Sequence, residues 1–126
     1  MQGLHLTADL YQCRCDEAWL TDAQRLGDWC LRAVEDAGLR PMDHLFRAGG
    51  GTADEAGGIT GLLLLPESHL CLHTWPQQRT VAADVYLFSQ AGENGALARA
   101  LMDKLLDRFE PEWTEQRSLD RGNGSA

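Results

Sequence analysis

The sequence holds no apolar run approaching the roughly 20 residues that a bilayer-spanning helix requires. Its longest, Ile59 to Leu65, is strand-sized and is interrupted by Thr60 and Gly61. No basic stretch followed by an apolar one opens the chain, so no secretory signal is read. A cytoplasmic location with no membrane partner is the expectation. Basic charge is also scarce: 11 Lys and Arg face 19 Asp and Glu, for a formal net charge of −8. Phosphate backbones are bound by clustered Lys and Arg, so nucleic acid is not an expected partner. The acidic balance is compatible with a cationic substrate. Four cysteines are present, Cys13, Cys15, Cys30 and Cys71. The Cys13-x-Cys15 spacing is tighter than that of ordinary zinc ligands, and no second pair accompanies it. The four read as reduced thiols, with no metal.

What is present suits one soluble domain spanning residues 1–126. Hydrophobic residues make up 44% and charged residues 24% of the 126, enough for a single core without staples. Leu4, Leu6, Ala8 and Leu10 alternate, as in a strand with one buried face. Thr21-Asp22-Ala23-Gln24 has the form of a capping box. Leu26, Trp29, Cys30, Ala33, Val34 and Ala37 follow at helical spacing, and Gly38 is placed to end the helix. That predicts a helix over about 22–37. Strands are predicted over 42–46, 59–65, 69–75 and 81–88, with a glycine-rich loop from Gly49 to Gly58 and a break at Pro66-Glu67. Glu93-Asn94-Gly95 introduces a second helix carrying Leu97, Ala98, Leu101, Leu105 and Phe109 on one face, stopped by Pro111. A last short strand is predicted over 113–119, then a frayed tail from Arg121 to Ala126. The order β-α-β-β-β-β-α-β, with short connections, predicts an α+β two-layer sandwich: a mainly antiparallel sheet with two helices on one face. The other face then meets water or a second subunit.

The segment richest in chemistry runs from Gly58 to Pro76. In its second strand His69, Cys71, His73 and Trp75 share one face, while Leu70, Leu72 and Thr74 share the other. Ser68 stands at the mouth of that strand, and a serine beside a histidine is the minimum for an activated hydroxyl. By itself the pair has a plain alternative, since a histidine on a strand is commonly just a satisfied side chain. Trp75 likewise reads equally as a pocket wall or as a core aromatic.

The block GITGLLLLPESHLCLHTWP resembles the signature of the short bacterial S-adenosylmethionine decarboxylase proenzymes, in which Glu-Ser-His is followed by His-Thr-Trp-Pro. Gly3-Leu4-His5-Leu6 with Asp9-Leu10-Tyr11-x-Cys13 is similar to that family's first strand. Ala83-Asp84-Val85-Tyr86 and the stretch from Arg117 to Gly122 are similar to later blocks, so the resemblance spans nearly the whole chain. It implies a pyruvoyl-dependent decarboxylase that splits itself between Glu67 and Ser68. Ser68 would attack the carbonyl of Glu67, Thr60 would hydrogen-bond the oxyanion, and His73 would remove the proton that drives β-elimination. Position 68 would then become the pyruvoyl cofactor, whose carbonyl forms a Schiff base with the substrate amine and serves as the electron sink for decarboxylation. The sole lysine, Lys104, sits in no recognisable pyridoxal motif, so a built-in carbonyl suits the chain. The resemblance further implies a role for His69 beside the nucleophile, a substrate pocket that includes Trp75 and Gln77, and a homodimer with shared active sites.

Two positions depart from the family pattern. Phe88 stands where the family places a cysteine that protonates the product carbon, and phenylalanine has no exchangeable proton. Cys71, Tyr86 or Ser89 are the candidate substitutes, although Ser89 is expected on the opposite face. Phe88 itself then borders the substrate. Gln77 stands where a glutamate is usual, keeping hydrogen-bonding capacity but losing charge. The expected activity is decarboxylation of S-adenosylmethionine to the aminopropyl donor for spermidine. The alternatives are a pyruvoyl-dependent ornithine or arginine decarboxylase, and a non-catalytic regulatory paralogue.

Overall fold

The structure, a computed structural model, describes residues 1–52, 55–89 and 94–122. The chain begins with β1 (Gly3–Tyr11), a one-turn helix α1 (Ala18–Thr21) and the longer helix α2 (Ala23–Asp36). Next come β2 (Asp43–Gly49), β3 (Gly58–Leu65), β4 (Ser68–Trp75), a single 3₁₀ turn over Pro76–Gln78, and β5 (Thr80–Phe88). Helix α3 (Gly95–Phe109) and β6 (Trp113–Arg121) complete it. All six strands join one sheet in the order β2-β3-β4-β5-β1-β6, each pair antiparallel. The two-layer α+β sandwich expected from the sequence is the fold observed.

Alternation along each inner strand decides which face is covered. Leu4, Leu6, Ala8 and Leu10 of β1, Ile59, Leu63 and Leu65 of β3, Leu70 and Leu72 of β4, and Val81, Val85 and Leu87 of β5 are all buried. Leu26, Cys30 and Val34 of α2 and Leu101, Leu105 and Phe109 of α3 close over them in one core. Each such leucine or phenylalanine contributes about 1.5–3 kcal/mol by leaving water. Gly61 is explained by Phe46: a Cβ there would collide with the ring that β2 sends into the core.

Three local expectations need correction. The capping box does not form, because Thr21 belongs to α1 and its Oγ1 donates to Glu17 O (3.2 Å). An N-cap needs non-helical backbone. Asp22 has it, at φ −97° and ψ 97°, and its carboxylate accepts the Arg25 N–H (3.1 Å). Gln24 instead reaches Asp28. The first strand after α2 continues to Gly49, beyond the predicted Phe46, and Arg121 is not frayed but pairs with Gly3 as the last residue of β6. Ladder bonds with a neighbouring strand hold such polar residues in place without an apolar pattern. Gly38 ends α2 as expected: at φ +85° it lets Leu39 N–H reach Val34 O (3.0 Å), a left-handed terminus that glycine adopts at little cost. Glu93 of the predicted helix start, and tail residues 123–126, lie outside the described residues.

Candidate active site

The face of the sheet away from the helices is bare, and the polar side chains of β4 stand on it. His69, Cys71, His73 and Trp75 point to that side, while Leu70, Leu72 and Thr74 are buried beneath. Register fixes their neighbours. His73 pairs with Thr60 and Ala82, Cys71 with Leu62 and Asp84, and His69 with Leu64 and Tyr86. Beneath them, buried Thr74 Oγ1 donates to Leu20 O (2.7 Å) and accepts from Ile59 N–H (2.8 Å). That pair of bonds ties β3 and β4 to α1.

Two clusters result, at opposite ends of β4. At the first, Thr60 Oγ1 lies 3.3 Å from His73 Nδ1, and Cys71 Sγ lies 3.9 Å from His73 Nε2. The Trp75 ring stands 6.1 Å from the imidazole and is 44% exposed. It is therefore a surface wall, and its core-aromatic alternative is not what the fold adopts. This end opens into a groove of about 310 Å³ between the 3₁₀ turn and the glycine-rich loop, reaching Thr60, His73, Trp75, Gln77 and Glu55. Gln77 Nε2 donates to Ala56 O (3.1 Å) and so anchors that loop.

The second cluster surrounds the hairpin at Pro66-Glu67. Glu67 has φ +56°, a left-handed conformation unusual for a side chain with a Cβ. Leu65 and Ser68 close the two-residue turn as a pair. Ser68 Oγ accepts the Phe88 N–H (2.9 Å). On the bare face beside it, the His69 ring is 5.6 Å from Tyr86 and 6.2 Å from His5, and His5 is 6.0 Å from Tyr86. His5 Nε2 is enclosed without a hydrogen bond, 3.9 Å from Asp84 Oδ1.

The electrostatics follow from this half-dry setting. Burial lowers the pKa of His69, the His5 ring lowers it further, and Asp84 partly opposes them. Burial raises the Cys71 thiol, Asp84 raises it again, and the Leu72 backbone N–H opposes. Both groups are thus biased towards their neutral forms. Away from the site, burial and the neighbouring Cys15 raise Cys13 to about 11, and Cys15 and Cys30 are raised by burial as well. All four thiols are unpaired with one another.

Ser68, Glu67, His69, Tyr86 and Phe88 are therefore brought together at one end. Thr60, His73, Cys71, Trp75 and Gln77 are brought together at the other. Within one chain the groups do not meet: Ser68 and His73 lie five residues apart on β4, about 17 Å at 3.3 Å per residue. Ser89 is buried, and its Oγ accepts the Asn94 N–H (3.3 Å), so it faces the helices as alternation predicts. Sequence patterns did not single out His5, Asp84 or Glu55 for chemistry. His5 was accessible in principle, since the alternation of β1 places it opposite Leu4 and Leu6. Glu55 gave no periodic signal, because it lies in a loop.

Fold and site define a small α+β enzyme whose reactive groups stand on an uncovered sheet face. The family model described as S-adenosylmethionine decarboxylase matches residues 4–122. The S-adenosylmethionine decarboxylase proenzyme of Hydrogenobaculum sp. (strain Y04AAS1) is 31% identical over 122 residues, covering 95% of this chain and 81% of that one. The proenzyme of Aquifex aeolicus (strain VF5) is 30% identical over 121 residues, with the same coverage of 95% and 81%. The crystal structure of the adenosylmethionine decarboxylase from Aquifex aeolicus VF5 superposes with a TM-score of 0.78 at 26% identity, covering 98% of this chain and 92% of that one. The chain belongs to the S-adenosylmethionine decarboxylase family.

Proposed function

We propose that this chain is made as a proenzyme, cuts itself between Glu67 and Ser68, and keeps a pyruvoyl group at position 68 as its cofactor. It is a carboxy-lyase that removes carbon dioxide from S-adenosylmethionine and leaves the aminopropyl donor of spermidine biosynthesis. The observation that carries the reading is the peptide at 67–68. Its first residue is held left-handed, and the hydroxyl of its second is fixed by a backbone N–H. A left-handed residue with a Cβ costs about 1–2 kcal/mol, and cutting the bond relieves it.

Residues of two protomers supply the parts of the processing, with Thr60 and His73 reaching Ser68 from the partner. Ser68 Oγ attacks the carbonyl carbon of Glu67; the C–O bond forms as the C–N bond breaks, and the freed amine takes a proton. Thr60 hydrogen-bonds the oxyanion of the tetrahedral species. His73 then takes the α-proton of residue 68, the Cβ–O bond breaks, and Glu67 leaves as the new C-terminal carboxylate. Water replaces the nitrogen at position 68 and ammonia departs. His69, biased to its neutral form, is the basic side chain adjoining the serine.

The surroundings fit a carbonyl at position 68. The last β4–β5 pair is His69 with Tyr86, so the Phe88 N–H lies past the ladder and is available to an oxygen there. When present, the pyruvoyl carbonyl takes up the substrate amine and accepts the electron pair left by carbon dioxide. The product carbon needs a proton that Phe88 lacks. Cys71, kept protonated by burial and Asp84, and Tyr86, on the Phe88 face, are the two donors the geometry favours. Ser89, turned to the helices, is disfavoured. Phe88, Trp75 and Gln77 border the substrate.

The enzyme works as a homodimer with shared active sites. A two-fold packing of bare faces brings the Ser68 end of one β4 to the Thr60–His73 end of its partner. It also covers Leu45, Leu62 and Leu64, which stand exposed on that face. No helix among the described residues is long and apolar enough to cross a membrane, and the reading includes a cytoplasmic location.

Denaturing mass spectrometry of freshly purified protein is the direct test. Two fragments split between Glu67 and Ser68, the second with a pyruvoyl end, are expected. A single chain of 13.9 kDa would overturn self-cleavage and favour the regulatory reading that Phe88 supports.

A further inference from the structure

The groove beside His73 and Trp75 contains a single carboxylate among its described lining residues, that of Glu55. The rest of the described lining is glycine, hydroxyl, amide, imidazole and aromatic, with the aliphatic Ala56, Ile59 and Pro76. The Glu55 backbone is fixed from both sides: Thr52 N–H donates to Glu55 O (2.8 Å), and Glu55 N–H donates to Thr52 Oγ1 (3.1 Å). The next residue is held too, since the Gln77 side-chain amide donates to Ala56 O (3.1 Å). At the base of the loop the backbones run so close that a Cβ on Gly57 would strike Gly49, and one on Gly58 would strike Thr74. These bonds set the backbone of Glu55 and Ala56 on the groove rim. Gln77 has no charge and commits one amide N–H to that loop.

We propose that Glu55 is the specificity carboxylate of this groove and pairs with the sulfonium cation of the bound adenosyl substrate. The inference rests on the reading that S-adenosylmethionine is the substrate. A sulfonium has no N–H or O–H to donate, so its partners are an aromatic face, which Trp75 offers here, and a negative charge. Gln77 cannot provide one, whereas Glu55 can from the same groove. The carboxylate thus favours the charged substrate over neutral thioether relatives, which share its adenosine but not its charge.

The test uses the self-processed enzyme and its E55Q variant with a pair of inhibitors that differ by one S-methyl and its positive charge. One is 5′-deoxy-5′-(dimethylsulfonio)adenosine, a cation; the other is 5′-methylthioadenosine, its neutral thioether. The wild type is expected to bind the cation about fivefold or more tightly than the thioether, as a part-screened ion pair supplies. In E55Q that preference falls to near unity, the KM for S-adenosylmethionine rises by a similar factor, and kcat and self-cleavage stay unchanged. Equal weakening of both inhibitors would overturn the inference, because the carboxylate would then be serving the shared adenosine. An unchanged KM and unchanged preference would overturn it as well, while leaving the decarboxylase reading intact. A wild type that self-cleaves but does not turn over S-adenosylmethionine would refute the substrate reading and this inference together.

Discussion

Coexpressing Ser68→Ala and His73→Ala chains tests whether one active site draws on two protomers. On a single β4 the two residues are separated by about 17 Å, while proton transfer needs heavy atoms within about 3 Å. Each variant alone should therefore be inactive. S68A has no serine to convert, and H73A has no base for the elimination. In a mixed dimer the H73A chain offers an intact Ser68, and the S68A chain offers an intact Thr60–His73 cluster. Random pairing makes about half of the dimers mixed, and each mixed dimer repairs one of its two sites. The coexpressed pair should thus recover about a quarter of wild-type carbon dioxide release. Denaturing electrophoresis should show cleavage confined to the H73A chain. No recovery above the separate variants, from a mixture shown to contain mixed dimers, would refute shared sites. Cleavage of H73A alone at the wild-type rate would remove His73 from the processing.

Other consequences are checked by simpler measurements. Thr74→Val removes a buried hydroxyl that satisfies both Leu20 O and Ile59 N–H. At about 1–3 kcal/mol for each of the two orphaned groups, urea unfolding should show a loss of about 2–6 kcal/mol, and a loss below about 1 kcal/mol would refute the role assigned to those bonds. The His69 pKa is lowered in the folded chain, so between that pKa and the unfolded value of about 6.5 the unfolded state binds more protons. Stability should fall as pH drops below about 6.5, and His69→Gln should flatten that part of the profile. Asp84 raises the Cys71 thiol; Asp84→Asn should lower it and speed alkylation of Cys71 by iodoacetamide at about pH 8. An unchanged rate would mean that the carboxylate does not act on the thiol.

Much of the architecture is legible in the sequence. Period-two burial in β1, β3, β4 and β5 is written in their leucines and valines, and the 3.6-residue spacing of α2 and α3 in theirs. Those patterns are local, because a side chain's face follows from its position along its own strand or helix. The fine choice between Thr21 and Asp22 as helix cap is not legible. It depends on where α1 ends, and a one-turn helix leaves little periodic trace. The extension of β6 to Arg121 is hidden for a related reason, since a strand rich in charge is held by its neighbour's ladder rather than by an apolar face.

For the site, the order of residues is enough to specify the chemistry on offer: a serine after glutamate, two histidines and a thiol on one face, and a phenylalanine and a glutamine where the family places cysteine and glutamate. It is also enough to turn Ser89 away, because alternation is a property of the strand. Which of these groups are neighbours is a matter of the folded sheet. Strand register sets Thr60 beside His73 and Asp84 beside Cys71, and register comes from the pairing of distant segments. The same pairing stretches Ser68 and His73 to opposite ends of β4 and folds a loop carboxylate, Glu55, into the groove. Spacing along the chain carries no information on such contacts, because they are made between residues that only the paired strands bring together.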